Sequence, residues 1–189
     1  MVTRHKFAYV LDVLSNDRPG IVSSVSNSVE DLGGNIDACS QTVLSGYFTL
    51  IMVVSFADEI DTDLLVSKVR AGDERTGYAV LVRPFVRMPT PAEQHPVERF
   101  VITAFGGDKP GIVRRFSEYL AGKDINIVDL YGDRRGDDFV LISEVEIPKR
   151  WDIGMLQADL EQMGGEIGFT VRLQHENVFV ATNQLRLKR

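Results

Sequence analysis

The chain has 189 residues, 44% of them hydrophobic, which suits a globular protein of one large or two small domains. Its formal net charge of -6 disfavours direct nucleic-acid binding, because modules that grip phosphates usually carry a clustered basic face. The longest apolar run, Leu50 to Val54, is far too short to cross a bilayer, so no membrane partner is expected.

The first 85 or so residues predict six elements in chain order. An alternating pattern indicates a first strand with one apolar face, at Phe7, Tyr9, Leu11 and Val13. From Pro19 the apolar residues fall at helical spacing, and Gly33 lies where that helix ends. A hairpin about Gly46, a second helix over about 61–71 and a last strand near 77–83 follow.

The same series of elements occurs twice. Shifting the sequence by 91 residues aligns 8–84 with 99–175 without a gap and yields 17 identities. The identities cluster in two motifs, where Asp17-Arg18-Pro19-Gly20-Ile21-Val22 matches Asp108-Lys109-Pro110-Gly111-Ile112-Val113 and Asn35-Ile36 matches Asn126-Ile127. The chain is therefore predicted to be an internal duplication.

The order βαββαβ, repeated, predicts an α+β protein with two ferredoxin-like domains in tandem. Each domain would have an antiparallel four-stranded sheet with both helices on one face. We expect a first domain over 1–86, a linker over 87–97 that is rich in proline, and a second domain with a C-terminal tail over 98–189. In the third strand, Ile51 and Val53 predict a more deeply covered outer face than their counterparts Ile142 and Glu144 do.

Both copies resemble the ACT domain, through the Asp-Arg-Pro-Gly-Ile-Val motif after the first strand and the Asn-Ile pair that opens the second. A tandem pair without a catalytic domain is similar to the glycine cleavage system transcriptional repressor group. The sequence His175-Glu176-Asn177-Val178-Phe179, with Asn183, also resembles the tail of that group, although Val180 and Gln184 depart from it. The resemblance implies a fold that binds amino acids where the first strand-to-helix loop meets a neighbouring module.

The candidate ligand-binding residues are those of the two motifs. They are Asp17, Arg18, Pro19, Gly20, Ile21, Asn35 and Ile36 in the first copy, and Asp108, Lys109, Pro110, Gly111, Ile112, Asn126 and Ile127 in the second. Unpaired amides at a helix start suit a carboxylate, and glycine lets a ligand approach the backbone. We expect Pro19 in the first helical turn, Asp17 to cap the helix or accept a ligand ammonium, and Asn35 to lie near the same end of the module.

A purely structural role for both loops stays open, since strand-to-helix turns often use Asp, Pro and Gly for geometry alone. The loops also differ, because Ser15-Asn16 precedes the first and Gly106-Gly107 the second. The second therefore permits closer backbone approach and is slightly favoured if one site alone is occupied.

No catalytic motif is found, so we expect no enzyme activity and no cofactor. The histidines, His5, His95 and His175, are far apart and predict no metal site. A single cysteine, Cys39, forbids an intrachain disulfide, is expected as a small buried or half-buried filler, and fits a cytoplasmic location.

The sequence thus predicts a regulator that binds a small metabolite, with an amino acid, and glycine in particular, implied by the resemblance. It would modulate a protein partner, such as a transcription regulator or an enzyme, without contacting DNA, and small cores with open edges favour a homodimer. One alternative is a protein-interaction module without a ligand. Others are a regulatory relative of a formyltetrahydrofolate deformylase and an RNA-binding domain, whose aromatic signature is absent.

Overall fold

A computed structural model describes residues 2–73, 77–87 and 96–184 of the chain. The chain separates into two compact units, Met1–Met88 and Pro89–Arg189, called the first and the second module below. Most of the predicted linker lies outside the described residues. No helix within the described ranges is long and apolar enough to cross a membrane.

The first module has the order βαββαβ. Its elements are β1 (Phe7–Asn16), α1 (Ile21–Asp31), β2 (Asn35–Leu44), β3 (Tyr47–Phe56), α2 (Thr62–Ala71) and β4 (Ala79–Pro84). The strands form an antiparallel sheet in the order β2-β3-β1-β4, so β2 and β4 are its edges.

The second module repeats this arrangement and adds a helix. Its elements are β5 (Val97–Gly107), α3 (Ile112–Gly122), β6 (Asn126–Arg135), β7 (Asp138–Pro148), α4 (Ile153–Glu166), β8 (Phe169–His175) and α5 (Glu176–Gln184). The sheet order is β6-β7-β5-β8. The predicted tandem ferredoxin-like fold is confirmed, whereas the segment expected as a tail begins as helix α5.

Each module has its own apolar core between its sheet and its two long helices. Alternate residues of the central strands are buried, as Leu11 and Met52 are in the first module and Ile102 and Leu141 in the second. The second long helix of each module has an aspartate cap, because the Asp61 carboxylate accepts from the Asp63 N–H and the Asp152 carboxylate from the Met155 N–H. Both modules are therefore stabilised in the same way, by burial of one sheet face and by an aspartate cap on the second long helix.

At the outer face of the third strand, Val53 and its counterpart Glu144 are both half-buried, so the expected difference in coverage stays a prediction. Ile51 is 45% exposed and its counterpart Ile142 is half-buried. One expectation about burial was wrong. Cys39 is exposed rather than a filler, since it lies on the edge strand β2.

Candidate functional site at the strand-to-helix loops

The loop between β1 and α1 turns at a left-handed glycine. Gly20 is the N-cap residue of α1, with φ 95°, and no side chain caps the helix start. The first helical hydrogen bond is donated by the Ser24 N–H to the Gly20 carbonyl, so the amides before it have no acceptor within the helix. A side chain at position 20 would point into open space, so glycine is needed for its φ and not for lack of room.

The second loop has the same backbone. Gly111 caps α3 with φ 90°, again without a side-chain cap, and the Arg115 N–H donates to its carbonyl. Of the two roles expected for Asp17, helix capping is therefore contradicted, because left-handed glycine takes that position. Pro19 likewise precedes the helix instead of lying in its first turn, since α1 begins at Ile21.

Each loop is tied to the hairpin turn of its own sheet. The Asp17 N–H donates to the Gly46 carbonyl at 2.8 Å, and the Asp108 N–H donates to the Asp137 carbonyl at 2.7 Å. In the second module Arg134 also lies 3.2 Å from the Asp108 carboxylate. The Asp108 side chain is therefore already engaged by a cation.

The basic residue of each motif binds the segment that follows the second long helix of its module. Arg18 lies 2.8 Å from Asp73, whose side chain is 1% exposed, and donates to the Tyr78 hydroxyl at 3.2 Å. The hydrogen bond to Asp73 raises the pKa of Arg18 above its ordinary value. In the second module the Lys109 ammonium donates to the Ile167 carbonyl at 2.8 Å. These two candidate binding residues thus hold the loop against the body of the module.

The structure does not bring the asparagines to the loops. Register pairs Asn16, at the loop, with Tyr47, but pairs Asn35 with Ser55, eight residues further along β3. At about 3.3 Å per residue the separation is roughly 26 Å. The expectation that Asn35 lies near the same end of the module was therefore wrong, because β2 runs antiparallel to β3 and begins at the far end.

The asparagines have local partners instead. The Asn35 amide donates to Asp37 at 2.9 Å, and the Asn126 amide donates to Glu146 at 3.2 Å.

The isoleucines that follow the two asparagines are partly buried against the cores of their modules. Ile21 and Ile112, in the first helical turns, are buried there as well, whereas Pro19 and Pro110 are exposed.

A polar groove lies beside the first loop, between α1 and α2. It has a volume of about 430 Å³, starts at Gly20 and is lined by Ser23, Ser24, Asn27, Ser28, Asp31, Lys68, Ala71 and Gly72. Asp31 and Lys68 are 2.8 Å apart at its far end. In the second module Tyr119 takes the place of Ser28, and its hydroxyl donates to Asp159 at 2.9 Å. Burial, and then this bond, raise the pKa of Tyr119 well above its ordinary value.

An apolar cleft lies beside the second loop, between α3 and the edge of the sheet. Its free volume is only about 10 Å³, room for one water molecule at most, and it is lined by Ile102, Val113, Phe116, Ser117, Leu120, Ile127, Leu130, Leu141 and Ser143. Sequence reasoning missed both cavities, although the substitution of Met52 by Ser143 between the copies is a visible signal for the second. Among the described residues, no group of three or more His, Cys, Asp or Glu side chains could hold a metal ion.

The chain is thus a tandem of two ferredoxin-like modules, each with an uncapped helix start after a glycine turn. The ACT-domain family model matches residues 9–79 and 98–174, and the chain therefore belongs to the ACT-domain family. ACT domains are regulatory modules that bind small ligands, amino acids in particular, and this membership points to a regulatory rather than a catalytic protein.

Relatives of known sequence match one module at a time. A UPF0237 protein of Methanococcus maripaludis is 43% identical over 84 residues, which are 44% of this chain and 93% of that protein. A UPF0237 protein of Methanosarcina acetivorans is 37% identical over 82 residues, 43% of this chain and 89% of that protein.

Two solved structures match both modules at once. A protein of unknown function from Galdieria sulphuraria aligns with a TM-score of 0.72 at 24% identity, over 89% of this chain and 98% of that one. A candidate glycine cleavage system transcriptional repressor aligns with a TM-score of 0.61 at 16% identity, over 90% of this chain and 98% of that one. At these identities the likeness shows the fold, a tandem ACT arrangement.

Proposed function

We propose that the protein senses an amino acid at one or both strand-to-helix loops and converts occupancy into control of a protein partner. The observation that carries the proposal is the pair of uncapped helix starts after Gly20 and Gly111. Their free amides, at the positive end of a helix dipole, suit a ligand carboxylate. Membership of a family of amino-acid-binding regulators supports the same reading.

The proposed ligand site consists of the two strand-to-helix loops and leaves out the asparagine-isoleucine pairs that open β2 and β6. Gly20 and Gly111 supply open backbone, and the Asp17 carboxylate is exposed beside the first helix start, where it can accept from a ligand ammonium. Arg18 and Lys109 act by holding the loops in place. Asn35 and Asn126 reach a ligand only if another module places them there, because they lie at the far end of their own sheets.

Glycine is the first amino acid to test, since a structure of the same tandem fold is a candidate glycine cleavage system transcriptional repressor. The partner would then be a transcription regulator, and regulation would need a coupling free energy of about 1 to 3 kcal/mol between ligand and partner. A homodimer and a cytoplasmic location complete the proposal. Exposed strand edges such as Val43 and Leu44 on β2 favour pairing with a second chain.

Thermal unfolding in the presence of each of the twenty amino acids tests this proposal. A ligand at ten times its dissociation constant adds about 1.4 kcal/mol, which raises the midpoint by several degrees for modules of this size. We expect a selective shift that is lost in Gly20→Asp or Gly111→Asp. Gly33→Asp is the matched control, because Gly33 also has positive φ, 74°, and open surroundings, but at the other end of α1.

A flat screen with folded protein would contradict sensing and favour an interaction module. That second candidate has support from the outer sheet face of the first module, where Leu14, Ile51 and Leu81 are each 45% exposed or more. The substitution Ile51→Glu, which leaves the loops untouched, would then remove partner binding.

A further inference from the structure

We propose that the outer sheet face of the first module binds the same face of a second copy of the chain, through apolar side chains and two symmetric Asp12–Arg83 ion pairs. The inference rests on the homodimer in the proposed function, and it places that interface on a sheet face instead of a strand edge. It is independent of amino-acid sensing.

The outer face of the first sheet exposes a group of large apolar side chains. Alternate residues of each strand point away from the core there. Register pairs Asp12 with both Ile51 and Leu81 at the middle of the face, and pairs Leu44 with Tyr47 at one end. Five large side chains of this face are between 45% and 61% exposed, namely Leu14, Leu44, Tyr47, Ile51 and Leu81. An apolar group of this kind marks an interaction site.

The corresponding face of the second module is suited to water. Four positions that are uncharged on the first face carry a charge on the second, where Leu44, Tyr47, Val53 and Leu81 correspond to Arg135, Asp138, Glu144 and Arg172. A face of that kind would lose the hydration of its charges if it covered an apolar surface. The complement of the first face is therefore another apolar face, and a second copy of the chain supplies one.

Two charged side chains on the first face have no partner of their own. Asp12 is half-buried on the central strand β1, and Arg83 is exposed on the edge strand β4. Within the described residues, neither side chain makes an ion pair or a hydrogen bond. Register pairs Asp12 with Leu81 and Val10 with Arg83, so Asp12 and Arg83 are diagonal neighbours with Cα atoms roughly 7 to 8 Å apart. A partner that covers this face must supply a cation to Asp12 and an anion to Arg83.

A second copy supplies both charges at once. Two-fold symmetry places one residue against a second residue of the partner, and that second residue against the first. When Asp12 faces the partner subunit's Arg83, Arg83 therefore faces the partner subunit's Asp12, and two equal ion pairs form. Because packed sheet faces lie about 10 Å apart, the long arginine side chain can reach the carboxylate across the interface.

The face is large enough for a specific dimer. Its four strands, about 4.8 Å apart and roughly eight residues long at about 3.3 Å per residue, give an area of roughly 500 Å². Two copies would bury roughly 1,000 Å² together, which is the lower limit for a specific interface. We therefore expect a reversible dimer.

Sedimentation velocity of the full-length chain over a range of concentrations tests the inference. We expect a reversible dimer for the wild type. Leu81→Arg, which copies Arg172 of the second module, and Leu14→Glu should each raise the dissociation constant at least about tenfold, because each buries a charge in the interface. Phe105→Glu is the matched control and should keep the wild-type constant. Phe105 is the counterpart of Leu14 on the second module, and the two side chains are 53% and 46% exposed.

An exchange of charges tests the two-fold ion pairs. Asp12→Arg and Arg83→Asp should each raise the dissociation constant at least about tenfold, because like charges then face each other. The variant that carries both substitutions restores opposite charges across the interface. Its dissociation constant should return to within about threefold of the wild-type value.

The outcomes separate this inference from the proposed function. A monomeric wild type would overturn the inference and remove the homodimer from the proposed function, leaving the face to a different protein, whereas amino-acid sensing would stand. A dimer that survives in folded Leu81→Arg and Leu14→Glu proteins would move the interface to another surface, such as a strand edge. A double charge variant as weak as the single ones would refute the two-fold ion pairs. Circular dichroism checks folding, and should one leucine variant not fold, the other decides.

Discussion

The two modules share their backbone almost element for element and differ in what surrounds the start of the first helix. Both have a left-handed glycine before that helix, at φ 95° and 90°, and an aspartate cap on the next one. Beside these shared features, the first module has a polar groove between its helices, and the second has an apolar cleft beneath one of them.

Three pairs of equivalent residues account for most of this difference. Met52 in the first core is replaced by the smaller Ser143 in the second, and Ser28, which lines the polar groove, is replaced by Tyr119, whose hydroxyl donates to Asp159. The buried Asp73, which binds Arg18, corresponds to Gly164. The glycine turns that set backbone conformation are thus alike in the two copies, while these three positions differ in side-chain size and charge. Equal loops therefore need not select equal ligands.

Removal of the Met52 side chain should have the largest effect on stability. We expect Met52→Ala to lower the free energy of unfolding of the first module by about 3 to 4 kcal/mol, because it opens a cavity in a closed core. Ser143→Ala, at the equivalent position, should cost about 1 kcal/mol, since it removes one buried hydrogen bond. Urea unfolding with hydrogen exchange of each module measures both, and similar losses would refute the proposed difference in packing.

Loss of the Asp73 carboxylate should come next. Asp73→Ala leaves the half-buried Arg18 without its ion pair, so the midpoint of thermal unfolding of the first module should fall by several degrees. Lys109→Met removes a hydrogen bond to a carbonyl in the second module and should shift its midpoint by roughly 1 to 2 °C. Calorimetry of both variants would contradict this order if Lys109→Met proved the more harmful.

Substitution of the turn glycine should lower the free energy of unfolding by the same amount in the two modules. Gly20→Ala and Gly111→Ala place a side chain at positive φ with open surroundings, so each should cost about 1 to 2 kcal/mol through backbone strain alone. Equal losses in chemical denaturation would confirm that the loops share one backbone. A loss in one module twice that in the other would show that the surroundings matter.

The helix caps should give the smallest of these effects, again shared. Asp61→Ala and Asp152→Ala each remove one carboxylate that accepts from an amide in the first turn, at 2.9 and 2.8 Å, and should cost about 1 kcal/mol. Asp63→Ala is a control near the first cap, because its side chain is not the N-cap acceptor. Hydrogen exchange of the amides in α2 and α4 measures the loss of stability in each variant. Unchanged protection of a helix in its variant would show that the aspartate cap does not stabilise that helix.

Elements of regular periodicity were predictable from sequence. Alternation about Leu11 and helical spacing from Ile21 reflect the period of each element, and the repeat supported every assignment with a second copy. Local chemistry was predicted less well. An aspartate before a proline resembles a helix cap, but left-handed glycine occupies the cap position, and the choice depends on φ angles that a motif does not specify.

Part of the candidate site could not be predicted either. Asn35 follows the helix that starts at the loop, and nothing in its local sequence indicates that β2 begins about 26 Å from that loop. Strand direction and register determine this distance. The resemblance of residues 175–179 to a family tail did not indicate that helix α5 begins at Glu176.

The duplication, the βαββαβ order and the glycine turns could be inferred from the residues alone, because they follow from the period of apolar residues and from backbone geometry within a few residues. The folded chain was needed to show which motif residues lie together, which of them hold the loop and where cavities open. Those properties depend on strand register and on the fit of side chains distant in sequence, such as Ser143 beneath Phe116.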